Sequence, residues 1–254
     1  MTKHYDITWL TDSIERGDAL EYLYFWGHTN KFNEAIGKFC FSQWYESPFS
    51  VDNKTYKTAE HWMMAQKALL FDDKVCFDKI LAADKPAIAK DLGRLVIGFN
   101  EHTWNKHRFE IVKTGNIHKF NQNPIMADYL LKTDKHILVE ASPLDSIWGI
   151  GLAQDDNYID NIYAWRGLNL LGFALMEVRD FLQAFGHFTP LDNAPQTPWT
   201  IYPNIDSRDL FWRMGKGEDC LTQFYNYYSK LTDREQTIFK LTNPAPYDWF
   251  NAYD

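Results

Sequence analysis

Cysteine, basic charge and long apolar runs are all scarce in this sequence, and each scarcity excludes a class of protein. The three cysteines are an odd number without C-x-x-C spacing, so a disulfide framework is excluded and reduced, packed thiols are expected. No run of about 18 apolar residues occurs, which excludes a membrane-spanning helix. The opening residues, MTKHYDITWL, lack the apolar core of a secretion signal. We therefore expect a cytoplasmic protein with no membrane partner.

Basic residues are outnumbered by acidic ones. The 26 Lys and Arg residues stand against 34 Asp and Glu residues, which gives a formal net charge of −8. Binding to a phosphate backbone depends on a basic surface, so a general nucleic-acid binder is not expected. A nucleic-acid substrate would need a local basic patch.

Familiar metal, nucleotide and hydrolase motifs are absent too. There is no H-E-x-x-H, no Walker loop, no G-x-G-x-x-G and no nucleophile elbow. The histidines His102, His107, His118 and His136 lack metal-ligand spacing, and the acidic loop 155–160 lacks the Gly and terminal Glu of a calcium loop. The sequence therefore implies no metal and no cofactor.

Apolar and aromatic side chains, in contrast, are plentiful. The 254 residues are 45% hydrophobic and 17% aromatic, which argues against disorder. This is enough for a packed core in one domain, or in one domain with an appendage. The patterning predicts an α+β fold that is predominantly helical with a few short strands.

The predicted elements begin after a peripheral segment at residues 1–22. Residues 23–51 contain aromatic-rich runs suited to short strands or turns, including Phe39–Tyr45, and a turn is predicted at Asp52-Asn53. Thr58 can cap a helix that runs to about residue 71. Further helices are predicted at 76–82, 86–96, 103–119, 124–131 and 167–185, and one buried strand at Ile137–Val139.

The C-terminal part of the chain has a different texture. Four prolines fall between Pro190 and Pro203, which predicts a linker or extended strap. Residues Thr232–Glu235 have capping-box spacing, and 13 aromatic residues follow position 190. We therefore predict three parts: a peripheral segment at 1–22, a main domain at 23–186, and a small helical extension at 187–254 packed on it.

One predicted helix, TAEHWMMAQK at 58–67, carries polar groups that are unusual in an otherwise apolar segment. Glu60 and Lys67 are seven residues apart, so they lie on one face of the helix. This face has two interpretations. It is either an exposed stripe in which Glu60 complements the helix dipole and Lys67 points to water, or a functional surface.

Two further stretches could carry chemistry. In VEASPLDSIWGIG, a buried strand ends in a turn that presents Asp145, Trp148 and Gly149, which suits either a binding loop or a tight turn anchored by a buried Trp. In WRGLNLLG, a helix is predicted to begin at Gly167 with Asn169 in its first turn. Free amides there could bind an anion, and the alternative is a simple helix start.

In order along the chain, these stretches resemble the NADAR domain, also called the YbiA-like family. The resemblance covers roughly residues 23–184 and ends before the aromatic tail. One departure is Ser42-Gln43, where many relatives have Ser-Asn. The motifs that carry it are FSQWYESPF at 41–49, TAEH at 58–61, AQK at 65–67, AKDLGR at 89–94, KFNQN at 119–123, LVEAS at 138–142, Asp145, WGIG at 148–151, NLLG at 169–172 and Leu175–Arg179.

The resemblance implies a YbiA-like fold and cleavage of an N-glycosidic bond at a ribose anomeric carbon. It also implies the residues that would act. Glu60 would stabilise positive charge or activate the nucleophile, Lys67 would act as a Schiff-base or electrostatic partner, and Asp145 would protonate or orient the leaving amine. The implied substrate-binding residues are Trp44, Tyr45, Phe49, His61, Gln66, Arg94, Trp148, Gly149 and Asn169.

Two substrates and two functional classes remain open. The substrate is either a phosphoribosylamino-pyrimidine intermediate of riboflavin synthesis or ADP-ribose attached to guanine, in which case nucleic acid would be bound only through its modified base. The class is either an N-glycosidase or a non-catalytic module that holds ADP-ribose or a nucleotide. A pure binding module would need neither Glu60 nor Lys67, so the two residues together favour the enzyme.

Overall fold

The computed structural model describes residues 4–30, 33–249 and 251–253. The chain forms two compact units. The first contains Met1–Ser50 and Thr55–His187, and the second contains Val51–Lys54 and Phe188–Asp254.

The first unit opens with helix α1, Ile7–Glu15, which begins where the Asp6 side chain accepts a hydrogen bond from the backbone N–H of Trp9 at 2.7 Å. Its apolar side is buried, with Leu10 fully enclosed. Just before it, the Tyr5 hydroxyl donates to Asp180 at 2.6 Å. The N-terminal segment is thereby held against a helix more than 170 residues further along the chain.

Two small sheets follow from short runs of aromatic and β-branched residues. Strands β1, Tyr22–Phe25, and β4, Ile137–Glu140, pair in parallel, with Phe25 opposite Glu140. Strands β2, Phe49–Val51, and β3, Lys54–Tyr56, form a hairpin. Its two turn residues, Asp52 and Asn53, have φ values of 48° and 57°, a region these residue types tolerate. The predicted turn is confirmed.

Six further helices belong to the first unit. The predicted start of α2 is confirmed, because the Thr58 hydroxyl accepts from the backbone N–H of His61. Pro86 and Pro124 occupy the first turns of two others, where a missing N–H is harmless. The helices are α2 Ala59–Leu70, α3 Lys74–Ala82, α4 Pro86–Arg94, α5 Glu101–Asn121, α6 Pro124–Leu131 and α7 Leu170–Phe185.

The predicted start of one helix was wrong. Helix α7 begins at Leu170, not at Gly167, because the preceding backbone bonds to the loop after β4. The N–H groups of Leu168 and Asn169 donate to the carbonyls of Ser146 and Gly149, each at 3.1 Å. Those amides are therefore occupied and cannot bind an anion. Of the strands or turns predicted for the aromatic run at 39–45, the structure has turns, and the first residues of the run lie in a 3-10 helix, Lys38–Phe41.

The second unit is helical and aromatic. The capping box predicted at Thr232 and Glu235 is confirmed. The unit contains α8 Pro198–Ile201, α9 Gly215–Tyr228 and α10 Asp233–Thr242, with short 3-10 helices at Leu210–Arg213 and Tyr247–Trp249. Its core is an aromatic cluster formed by Trp199, Trp212, Phe224, Tyr228, Phe239 and Trp249. Across the described residues of both units, each helix is too short or too polar to cross a membrane.

Candidate active site

Helix α2 forms one wall of a cavity of about 540 Å³ in the first unit. Glu60, Met63, Met64 and Lys67 all line this cavity, so the two polar groups lie on the face of the helix that is turned to the cavity. Glu60 is 3% exposed. A solvated stripe at this position is therefore excluded for Glu60, and the cavity volume is that of a small-molecule site.

The second wall comes from the carboxyl ends of β1 and β4. Because the two strands are parallel, their carboxyl ends lie at the same edge. Strand β1 leads directly into Trp26 and His28, and β4 ends in Glu140 and leads to Asp145. Residues more than 100 positions apart thus meet at one side of the cavity.

Helix α4 supplies the basic wall. Lys90 and Arg94 are four residues apart and so lie on the same face, towards the cavity. Between them, Gly93 allows α4 to approach α2 closely, since a Cβ atom at this position would lie 2.0 Å from the sulfur of Met64. This close packing places the cations of α4 opposite Glu60.

Indole rings complete the lining. Trp44, Trp104 and Trp148 contribute to the wall, and Trp26, which is 59% exposed, lies at the edge. Flat rings of this kind suit stacking against a base or a sugar. The Lys90 ammonium lies 5.7 Å from the Trp44 ring, so the basic and aromatic parts of the wall are adjacent.

The Glu60 carboxyl group is buried without full hydrogen bonding. Its Oε1 has no hydrogen-bond partner among the described residues. Burial raises the pKa of Glu60 to about 7, opposed by the positive charge of Lys90 and by a hydrogen bond from the Trp44 side chain. Near neutral pH, Glu60 is therefore present in both the protonated and the ionised form.

A second buried carboxyl group, Glu140, was not among the predicted site residues. Its Oε2 also lacks a hydrogen-bond partner in the described part of the chain. Burial, together with the charges of Asp145 and Glu60, raises its pKa to about 8. The signal available in the sequence was a single charged residue directly after the apolar run ILV. Lys90 was missed as well, although it precedes Arg94 by one helical turn.

Lys67 occupies a defined position further along α2. Its ammonium donates to the Gly93 carbonyl at 2.8 Å and lies 4.1 Å from the centre of the Phe99 ring. Burial lowers the pKa of this amine. Seven residues of helix separate Lys67 from Glu60 by about 10 Å along the axis. The cations that act on the Glu60 carboxyl are Lys90 and Arg94.

Asp145 lies in the loop that follows β4 and lines the cavity. Its Oδ1 accepts the backbone N–H groups of Ile147 and Trp148 at 2.9 and 2.8 Å. These two bonds hold the loop in shape and present the Trp148 ring to the cavity.

Six residues predicted to bind substrate lie outside the cavity wall, namely Tyr45, Phe49, His61, Gln66, Gly149 and Asn169. His61 is buried, and its ring nitrogens contact Thr58 Oγ1 at 2.8 Å and the Ala83 carbonyl at 3.1 Å. Phe49 and Tyr45 are engaged with other aromatic rings of the first unit. Gln66 is half-buried and does not line the cavity. The contacts of Tyr45, Phe49 and His61 give these three side chains a packing role.

Gly149 and Asn169 support the cavity from behind. A Cβ atom on Gly149 would lie 2.8 Å from the Glu140 carbonyl, so only glycine fits there. Asn169 is fully buried. Its side chain accepts from the Glu140 backbone N–H at 3.0 Å and donates to the Leu138 carbonyl at 2.9 Å. Both residues hold the end of β4 in place.

Within the described residues, no three His, Cys, Asp or Glu side chains are grouped so that they could hold a metal ion. The three cysteines are unpaired.

The fold agrees with what comparison with known proteins shows. The NADAR domain model matches residues 24–183, and the chain belongs to this family. A solved structure, the NMR structure of the E. coli protein YbiA, has the same fold, with a TM-score of 0.52 and 25% identity over 67% of this chain and 92% of that one. The predicted family and fold class are confirmed.

Curated relatives are named for their activity. An N-glycosidase of Acanthamoeba polyphaga mimivirus is 46% identical over 167 residues, which is 63% of this chain and 95% of the relative. N-glycosidase YbiA of E. coli is 30% identical over 56% of this chain and 80% of its own. A riboflavin biosynthesis protein of Vibrio vulnificus is 30% identical over 76% of this chain but only 45% of its own length. At the level of the family, the prediction of an N-glycosidase is confirmed.

Proposed function

We propose that this chain is an N-glycosidase that hydrolyses the bond between a ribosyl C1 atom and an amino or base nitrogen. The observation that carries the proposal is the cavity itself, where the buried, incompletely paired carboxyl of Glu60 lies among cations and indole rings. Relatives similar to this chain are named N-glycosidases.

Cleavage of an N-glycosidic bond builds positive charge at the anomeric carbon. A carboxylate held in a water-poor cavity stabilises that charge much more strongly than it would in water. Glu60 fits this role in its ionised form, either by stabilising the charge directly or by taking a proton from the attacking water.

Lys67 has two possible roles. In the first, its neutral amine attacks C1 of the opened sugar and forms a Schiff base, a route favoured by the lowered pKa of the amine. In the second, the ammonium remains bound to the Gly93 carbonyl and contributes only its charge to the substrate. The hydrogen bond to Gly93 would have to break for the first route.

The remaining groups fit the two ends of a ribosyl nucleotide. Arg94, with Lys90 one turn before it, would pair with phosphate. Trp44 and Trp148 would stack on the base or the sugar. Asp145 would orient the leaving amine from the loop that it stabilises.

Two substrates satisfy this chemistry. One is a phosphoribosylamino-pyrimidine intermediate of riboflavin synthesis, which the name of the Vibrio vulnificus relative supports. The other is ADP-ribose attached to the amino group of guanine. The exposed ring of Trp26 at the cavity edge would suit the longer ADP-ribosyl group. We place the reaction in the cytoplasm, where three unpaired thiols would remain reduced.

The test is to incubate the purified chain with each substrate and identify released ribosyl products by mass spectrometry. Product from either one supports the enzyme and selects the substrate. Tight binding of ADP-ribose, measured by calorimetry, without product from either substrate would instead support a non-catalytic binding module. Glu60→Gln, measured in parallel, shows whether any product depends on this cavity.

A further inference from the structure

The backbone of Glu140 is fixed by hydrogen bonds on both sides, whereas its carboxyl group is incompletely hydrogen-bonded. Its backbone N–H donates to the Asn169 side chain, and its carbonyl accepts the N–H of Ile150 at 3.0 Å. It pairs with Phe25 in the parallel sheet. These contacts hold the backbone on both sides, yet the carboxyl group enters the cavity with Oε2 buried and unpaired.

An unpaired buried carboxylate is strongly unfavourable, and the group responds by remaining protonated. Glu60 and Glu140 line the same cavity, the charge of Glu60 raises the pKa of Glu140, and the charge of Lys90 lowers the pKa of both. Two carboxyl groups that interact in this way hold one proton between them over a range of pH. Such a pair separates the roles of acid and base.

We propose that Glu140 is a second catalytic carboxyl group, the acid that protonates the departing nitrogen while Glu60 acts as its ionised partner. This inference rests on the proposed N-glycosidase function and assigns the acid to a residue other than Asp145. The Oδ1 atom of Asp145 already accepts two backbone N–H groups, from Ile147 and Trp148. It therefore serves as a positioning residue for the loop.

The step is balanced as follows. The C1–N bond breaks, and its electron pair goes to the nitrogen, which takes the proton from Glu140. Water adds its oxygen to C1 and gives one proton to Glu60. The pair begins with a proton on Glu140 and ends with a proton on Glu60, and exchange with solvent restores the first state.

The pH dependence follows from this assignment. Glu60 must be ionised, so the rate falls as pH drops below about 7. Glu140 must be protonated, so the rate falls as pH rises above about 8. The other titratable groups on the cavity wall are His28, Lys67, Lys90, Arg94 and Asp145. Their substitution should shift these limbs, whereas loss of Glu140 should remove the alkaline one.

The experiment compares Glu140→Gln with Glu177→Gln across pH 5.5–9.5, using whichever of the two substrates the wild-type chain cleaves. Glu177 is a matched control because it is buried and lies outside the cavity. We expect kcat of Glu140→Gln to fall about 10²-fold with little change in KM, and its remaining rate to show no alkaline decline. Glu140→Asp should restore part of the rate and the alkaline limb.

A second measurement does not depend on turnover. In protein labelled with ¹³C at Glu carboxyl groups, one NMR signal should titrate near pH 8 in wild type and Glu177→Gln and be missing from Glu140→Gln. If wild type is active and the two Gln variants have equal kcat and pH profiles, the role of Glu140 is overturned and the proposed N-glycosidase function is not. No product from wild type with either substrate would overturn the proposed function and, with it, any catalytic role for Glu140.

Discussion

The first unit buries glutamates in two places, and it treats them in opposite ways. On α7, both carboxylate oxygens of Glu177 have partners, one 2.8 Å from His4 and the other 3.1 Å from Lys113. At the cavity, Glu60 is buried and Glu140 is half-buried, and each leaves one enclosed carboxyl oxygen without a partner in the described chain. The paired carboxylate of Glu177 supports the fold, whereas Glu60 and Glu140 each keep one oxygen available to a ligand in the cavity.

The two arrangements have different consequences for the stability of the fold. A buried acid that contacts a cation contributes to stability, and removing it leaves the cation unpaired. A buried acid with an unpaired oxygen at a cavity destabilises the fold, and such groups are typical of functional sites. The aromatic cluster of the second unit adds a third case, since the described residues bury no charged side chain there.

The largest effect on turnover should come from substitution of Glu60. We expect Glu60→Gln to lower kcat by about 10²-fold or more while ligand binding and the fold are retained, because the amide cannot stabilise positive charge at C1. Steady-state kinetics and calorimetry on the purified variant measure both. Turnover close to wild type would remove Glu60 from the mechanism, and Glu177→Gln controls for loss of a buried carboxyl group elsewhere.

Lys67→Ala should have the next largest effect, a loss of about 10²-fold in kcat. Borohydride added during turnover distinguishes the two routes. A ribosyl adduct on Lys67, located by peptide mass spectrometry, indicates the Schiff base, whereas need for Lys67 without an adduct indicates the electrostatic role. An active Lys67→Ala variant without any adduct in wild type would reject both. Lys113→Ala, outside the cavity, serves as the control.

The same chemical change should alter stability with opposite sign at the two glutamate sites. The pKa of Glu60 is raised in the folded state, so its destabilising effect is absent below about pH 4.5 and grows as pH rises to about 7. At pH 8, Glu60→Gln should therefore stabilise the fold, by roughly 3 kcal/mol at about 1.4 kcal/mol per pKa unit. Glu177→Gln should destabilise it by about 1–3 kcal/mol.

Urea unfolding at pH 5 and pH 8 measures the stability changes of Glu60→Gln and Glu177→Gln. The gain for Glu60→Gln should shrink at the lower pH, where the wild-type carboxyl group is already neutral. A loss of stability at pH 8 for Glu60→Gln would contradict the picture of an unpaired buried acid.

The smallest effect on chemistry should come from cutting the chain after Pro190. Every residue of the cavity wall lies between Trp26 and Leu171, within the first unit. The mimivirus relative is hardly longer than the region it shares with this chain. We expect turnover to remain within about tenfold of the full chain, with lower stability or altered substrate preference. Product formation by the isolated C-terminal segment would contradict this division.

Several features of the fold could be predicted from the sequence because they depend on residues close together in the chain. The Thr58 cap, the prolines that open α4 and α6, and the Asp52-Asn53 turn each act over three or four residues. The shared face of Glu60 and Lys67 follows from helical periodicity in the same way. Local geometry and hydrogen bonding determine such features, so the amino-acid sequence alone was sufficient.

Only the tertiary structure decided which polar groups reach the cavity. Glu140 lines the same cavity as Glu60 although the two residues lie 80 positions apart, on β4 and α2. The pairing of β4 with β1 positions Glu140, and no local pattern specifies that register. His61 and Asn169 resemble site residues in the sequence, yet their hydrogen bonds to Ala83 and Leu138 turn them into internal supports. The sequence by itself determined the helices and the family. Long-range packing determined which acids were left unpaired, because burial and hydrogen-bond partners are properties of distant residues brought together.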